Sequence, residues 1–235
     1  MYRHYDGLDF LVFLSQEERT FVFELLEKGR NGTLTQEESD QIDELIDKNQ
    51  RILDETIPIE EQIELANQAD EILKKIKYIY LDMDGTLVDF VSQVNKYGFW
   101  RKDKENKVDW KKVKAMGPHF WSEMDWMPGA EEAFKKLQEL EHQNKIILFI
   151  LSSIDFEDGR EGKRQWIQQK TNLLLSEVIF CEEPEDKANW AKKDSWLIDD
   201  RKKSLEPFKA AGGNIIEFTG DWDSVMKKID SIINE

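Results

Sequence analysis

The chain has little cysteine and histidine, fewer cationic than anionic residues, and no long apolar run. One cysteine, Cys181, stands among 235 residues. No intrachain disulfide can form, which fits a reducing compartment. Three histidines, His4, His119 and His142, share no metal-ligand spacing. The longest apolar run, IILFIL at 146–151, has the length of a buried strand and falls well short of the roughly 18 residues a membrane helix needs. The start, MYRHYDGLDF, lacks the apolar h-region of a signal peptide. The expectation is a cytoplasmic protein without a membrane contact. Lys and Arg number 33 against 49 Asp and Glu, a net charge of -16. That balance argues against a nucleic-acid polymer as partner, which needs basic residues over a whole face. It leaves room for a small phosphorylated substrate, because a local group of cations can dominate one pocket.

What is present changes character along the chain. Residues 1–75 hold nineteen Asp and Glu against eight Lys and Arg, a net of -11. Ser15 with Glu18 and Thr35 with Glu38 are capping boxes that open helices. Ile42, Leu45, Ile46, Ile52 and Leu53 follow a helical period, and Pro58 opens a further helix. An acidic, all-helical N-terminal extension is expected over 1–75, with apolar faces that need covering. From residue 76 to 235 the pattern is strand and helix in alternation. The apolar runs are Tyr78–Leu81, Ile146–Leu151, Val178–Cys181, Trp196–Ile198 and Ile215–Phe218. Helical segments lie at Ala130–His142, Lys163–Leu175 and Asp221–Ile233. Continuous apolar strands alternating with helices predict an α/β fold with a parallel sheet covered on both faces. Residues 91–127 break the alternation. They are rich in aromatics and carry eight Lys and Arg against five Asp and Glu, and they predict a small cap inserted after the first strand.

Parallel sheets bind ligands at the carboxyl ends of their strands. The polar residues that close the runs are Asp82 and Asp84, Ser152 and Ser153, and Asp199 and Asp200. Adjacent carboxylates do not stay ionised cheaply without a cation, and oxygen donors of this kind suit Mg²⁺. Gly85 permits a tight turn between Asp84 and Thr86.

Asp82-Met83-Asp84-Gly85-Thr86-Leu87 resembles the first motif of the haloacid dehalogenase-like (HAD) phosphatases. Leu151-Ser152 resembles their second motif and Leu197-Ile198-Asp199-Asp200 their fourth. A narrower resemblance, to the 5'(3')-deoxyribonucleotidases, rests on Phe90, Phe120-Trp121 ahead of Met127-Pro128-Gly129-Ala130, Lys163-x-x-Trp166, Asp186-Lys187 and the arginine of Asp199-Asp200-Arg201. It covers Tyr78 to the C-terminus and leaves 1–75 aside. The resemblance implies a Rossmann-like core and hydrolysis of nucleoside monophosphates. Asp82 would attack phosphorus and form an aspartyl phosphate, and Asp84 would act as acid and then base. Thr86, Ser152 and Ser153 would contact phosphate oxygens. Lys187 is the first choice for the phosphate-holding lysine and Lys163 the second. Mg²⁺ would bind the Asp82 carboxylate, the Asp84 backbone carbonyl, Asp200 and Asp199. Phe90 and Trp121 would stack on the base, and Phe99, Trp100 and Trp110 are read as core residues. Asp89 has no motif role and is read as structural.

Two other readings compete. One is a phosphatase for another small phosphomonoester, such as a sugar phosphate. The other makes residues 1–75 a partner-binding module or homodimer contact with a regulatory phosphatase core.

Overall fold

The structure is a computed structural model that describes residues 25, 28, 35–45, 76–102, 107–171, 173 and 177–234. The chain divides into two compact units, Met1–Lys74 and Lys75–Glu235. In the first, residues 36–45 are helical. The capping box forms as expected. Glu38 N donates to Thr35 Oγ1 at 3.2 Å, and Thr35 N donates to Glu38 Oε2 at 2.9 Å. The helices expected to open at Ser15 and Pro58 lie outside the described residues.

The second unit is built on five parallel strands, β1 (Lys77–Leu81), β2 (Ile146–Ser153), β3 (Val178–Cys181), β4 (Ser195–Asp199) and β5 (Asn214–Glu217), in the order β3-β2-β1-β4-β5. Alternation along each strand explains why the runs are apolar throughout. Ile79, Leu81, Ile150 and Ile198 face one core, whereas Tyr80, Leu151 and Leu197 face a second core with Phe208. Both faces are covered, so no strand residue in the middle of the sheet needs to be polar. The result is an α/β, Rossmann-like sheet with helices on both sides. No helix among the described residues is long and apolar enough to cross a membrane. The chain steps outward from β1 to β3 and then returns to the other side of β1 with β4. That reversal opens a crevice beyond the carboxyl ends of β1 and β4.

The helices of this unit are α1 (Phe90–Tyr97), α2 (Trp110–Ala115), α3 (His119–Ser122), α4 (Ala130–His142), α5 (Glu157–Lys170), α6 (Lys202–Ala210) and α7 (Trp222–Ile233). Helix α5 begins six residues before the expected Lys163. Gly159 and Gly162 lie inside the helix, where it packs too closely for a side chain. A Cβ on Gly162 would come within 2.2 Å of Pro118 O and 2.7 Å of Trp121 Cβ. The helix also ends at Lys170, where Thr171 turns extended, short of the expected Leu175; residues 174–175 lie outside the described residues.

β2 is longer than its outer neighbour β3, which leaves Leu148 N without a ladder partner on that side. Glu141 Oε1 accepts this hydrogen bond at 2.8 Å. Burial pushes the Glu141 carboxyl above its ordinary pKa. A folded pKa above the unfolded one favours the protonated form, so this group lowers stability as pH rises through the folded value. Glu141→Gln keeps the acceptor and removes the charge. It is expected to raise the urea midpoint at pH 7, with the gain vanishing near pH 4. Glu141→Ala leaves a buried N–H unpaired and is expected to cost about 1–3 kcal/mol. An equal loss in both variants would show that the charge, not the acceptor, is what matters.

The segment between β1 and α4 folds as α1, α2 and α3, with a bridge between Trp100 and Val108. Asp89 caps α1, its Oδ1 accepting from Ser92 N at 2.9 Å, in keeping with a structural role. The two ends of the insertion are stitched together. Val88 and Trp126 form an antiparallel bridge. Asp89 N donates to Asp125 O at 2.9 Å and Met127 N to Leu87 O at 2.8 Å. Two buried side chains hold the insertion inside. Gln93 Nε2 donates to Phe120 O, and Trp166 Nε1 donates to Met124 O, both at 2.7 Å.

Candidate active site

β1 ends at Leu81, and the chain turns at once. Met83 O accepts hydrogen bonds from Thr86, Leu87 and Val88 N, at 3.3, 2.9 and 2.9 Å. Gly85 makes the turn possible with φ +82°, a left-handed conformation that side chains disfavour. It is also a cradle, because a Cβ there would lie 2.8 Å from Asp200 Oδ2. The turn therefore places Asp82 and Asp84 at the crevice and leaves room for the acid that follows β4.

Asp82, Asp199 and Asp200 can each offer an oxygen within 4.8 Å of the others, a set that can hold a metal ion. Two lysines divide the surrounding acids. Lys187 Nζ donates to Asp82 Oδ1 and to Asp199 Oδ2, the latter at 2.6 Å, and is 1% exposed. Lys163 Nζ donates to Asp84 Oδ2 at 2.8 Å and to Ser152 Oγ at 2.7 Å, and is fully buried. With all four carboxylates ionised, the two ammonium groups leave a charge of -2. The donor chemistry and the deficit both fit one divalent cation with a preference for oxygen.

Electrostatic stress is concentrated here. Partial burial of the Asp200 carboxyl, and then the charges of Asp82 and Asp199, push its pKa up to about 7. Burial and Asp82 also raise Asp199, against the pull of Lys187. Burial alone would lower the Lys187 ammonium, but Asp82 and Asp199 outweigh it and hold it above its ordinary value. Burial raises Asp84 above the usual carboxylate range, although Lys163 opposes the shift. Asp84 Oδ1 is buried with no hydrogen-bond partner among the described residues. That oxygen is suited to carrying a proton.

The oxygens of Asp199 are already engaged, Oδ2 by Lys187 and Oδ1 by Arg201 N at 2.8 Å. Asp82 and Asp200 are therefore the better-placed direct metal ligands. The Asp84 carboxylate stands outside the three-carboxylate set and turns to Lys163 instead. Lys187 owes its position to a 3₁₀ segment, Pro184–Trp190, opened by a reciprocal box between Glu183 and Asp186. The Glu-Pro-Glu-Asp run is a signal for that box that the sequence reading left unused.

A pocket of about 420 Å³ opens over Asp82 and Asp84. Ser153 lines it, whereas Ser152 and Thr86 are buried. Thr86 Oγ1 has no hydrogen-bond partner among the described residues. Trp121 also lines the pocket, and the ammonium of Lys163 lies 4.9 Å from its ring centre. Phe90 is not among the lining residues. It stacks on Trp110 and Trp121, with ring centres 5.9 and 5.8 Å apart. Trp110, read from the sequence as a core residue, lines the pocket and is 47% exposed. Phe156, Lys114, Arg201 and Lys203, with the acids Asp155, Glu182 and Glu183, are further wall residues without an expected role in the site. They come from separate segments, and only Arg201 belongs to a motif, the Asp199-Asp200-Arg201 run. Phe99 and Trp100 pack against the core. His119 is exposed beside Glu123 and does not line the pocket.

No protein-family model and no curated protein match the chain. Solved structures similar to it include a HAD-superfamily hydrolase from Ehrlichia chaffeensis, at 16% identity over 68% of this chain and 99% of that one, with a TM-score of 0.42. A HAD hydrolase of family IA, variant 3, from Entamoeba histolytica is 12% identical over 68% of this chain and 100% of that one, TM-score 0.47. A HAD family enzyme from Bacteroides thetaiotaomicron, solved with magnesium and inorganic phosphate, is 13% identical over 64% of this chain and 98% of that one, TM-score 0.37.

Proposed function

We propose that the chain is a Mg²⁺-dependent phosphomonoester hydrolase of the HAD type that acts on nucleoside monophosphates, as a 5'(3')-deoxyribonucleotidase does. The observation that carries this reading is the pair of buried lysines, each holding one of two acids two residues apart. Buried ion pairs rarely add more stability than apolar packing of the same volume. Two ammonium groups and four carboxylates at the crevice of a parallel sheet therefore point to chemistry on an anion.

In the proposed reaction a carboxylate oxygen of Asp82 attacks phosphorus. The bond to the leaving oxygen breaks, and Asp84 gives that oxygen its proton. Water then attacks the aspartyl phosphate, Asp84 takes a proton from the water, and Asp82 is released with inorganic phosphate. Lys187 orients Asp82 and is the first choice for holding the phosphoryl oxygens, with Lys163 the second, and Thr86, Ser152 and Ser153 offer hydroxyl donors. Mg²⁺, held by the Asp82 carboxylate, the Asp84 backbone carbonyl and Asp200 with Asp199 beside them, would neutralise charge on the transferring group. Trp110, Trp121 and Phe156 support a planar leaving group, because aromatic walls stack on bases with little demand on base identity. Phe90 takes part through the two indoles it stacks on. A cytoplasmic location and a partner- or dimer-forming role for residues 1–75 belong to the same reading. The single cysteine and the -11 charge of that segment support them.

A phosphate-release panel of nucleoside monophosphates and sugar phosphates, with Mg²⁺ and with chelator, tests the proposal. Deoxynucleoside monophosphates are expected to lead, and chelation to stop turnover. A panel in which every sugar phosphate outranks every nucleotide would overturn the substrate assignment.

A further inference from the structure

A second cavity, a groove of about 590 Å³, lies on the insertion and is bordered by Trp100, Arg101, Lys102, Trp110, Lys111 and Lys112. Its charge runs against that of the chain. Four cations, Arg101, Lys102, Lys111 and Lys112, border it against one acid, Asp109, in a protein of net charge -16. Trp110 borders this groove and the catalytic pocket alike. It is one of two large apolar side chains exposed among the described residues. An indole left in water between two cavities, with cations on its far side, is a stacking platform on an anionic path.

We propose that the groove extends the catalytic pocket, and that the preferred substrate is the terminal phosphate of a short single-stranded oligonucleotide. The inference rests on the nucleotidase reading. The terminal nucleotide occupies the pocket, and the following phosphodiesters lie along Arg101, Lys102, Lys111 and Lys112 past Trp110. The charge of the whole chain argues against a polymer coating the surface, but it does not govern this groove, where the local sign is reversed.

The test compares kcat/KM for a deoxytrinucleotide carrying a 5'-terminal phosphate with kcat/KM for the mononucleotide, in the full chain with Mg²⁺. The ratio cancels any loss of folded enzyme. It is expected to exceed one, and to fall about sevenfold between ~50 and ~200 mM salt if two internal phosphates are contacted. In the Lys111→Glu/Lys112→Glu variant the ratio is expected to drop to one or below at every salt concentration. A mononucleotide turned over as well as the trinucleotide, a ratio indifferent to salt, or a ratio unchanged in the double variant each overturns the extension while the nucleotidase reading stands. Turnover confined to sugar phosphates overturns both.

Discussion

Asp82→Asn is expected to lower phosphate release by about four orders of magnitude or more, the scale of loss when a covalent nucleophile is removed. The fold should survive. An amide oxygen can still accept from Lys187, and one charge is taken out of an acidic set that repels itself. An unfolding free energy in urea within about 1 kcal/mol of wild type is expected. The decisive readout is the enzyme itself. Acid quench during turnover should trap a phosphorylated peptide containing Asp82 in the wild type, and none in the variant. Turnover of the wild-type order in Asp82→Asn, with the protein folded, would remove Asp82 from the mechanism and leave direct attack by water.

Lys187→Ala should act first on stability. The lysine is 1% exposed and serves two carboxylates that are themselves buried, Asp82 and Asp199. Removing one partner of a buried pair leaves uncompensated charge and costs about 3–5 kcal/mol. The accompanying test is a second variant, Lys187→Ala/Asp199→Asn, which removes one of the stranded charges and should recover part of that loss. Residues in one ion-pair network do not behave additively. If the two substitutions instead add, measured by urea unfolding without Mg²⁺, then Lys187 does not neutralise Asp199 and the division of acids between the two lysines is wrong. A Lys187→Ala protein as stable as wild type would have the same force.

The strands were legible because their run lengths and continuous apolarity have one cheap solution, a sheet buried on both sides. The acids at their ends were legible because they stand where such a sheet puts its ligands. The pocket walls were not. A tryptophan such as Trp110 carries the same letter whether it is packed in a core or held out into water. Only the stacking of Phe90 and Trp121 against it decides which. The early start of α5 was not legible, because Glu157 to Gly162 holds no apolar side chain to mark a helical period. The division of acids between Lys163 and Lys187 depends on where β2, α5 and the 3₁₀ segment come together, and no spacing within any one of them records it.

The stitched ends of the insertion bear on how this protein can change over evolutionary time. The insertion begins after Val88 and ends at Trp126, and these two residues are bridged to each other. Closing a longer loop between fixed ends costs little, about 0.6 kcal/mol for each doubling of length. The wall over the pocket can therefore lengthen, shorten or be exchanged as a cassette while Asp82, Lys187 and Asp200 keep their places on the floor. Under the proposed function, selection on leaving-group preference at Trp110 and Trp121 falls on a different piece of the chain from selection on bond cleavage, with Phe156 the exception.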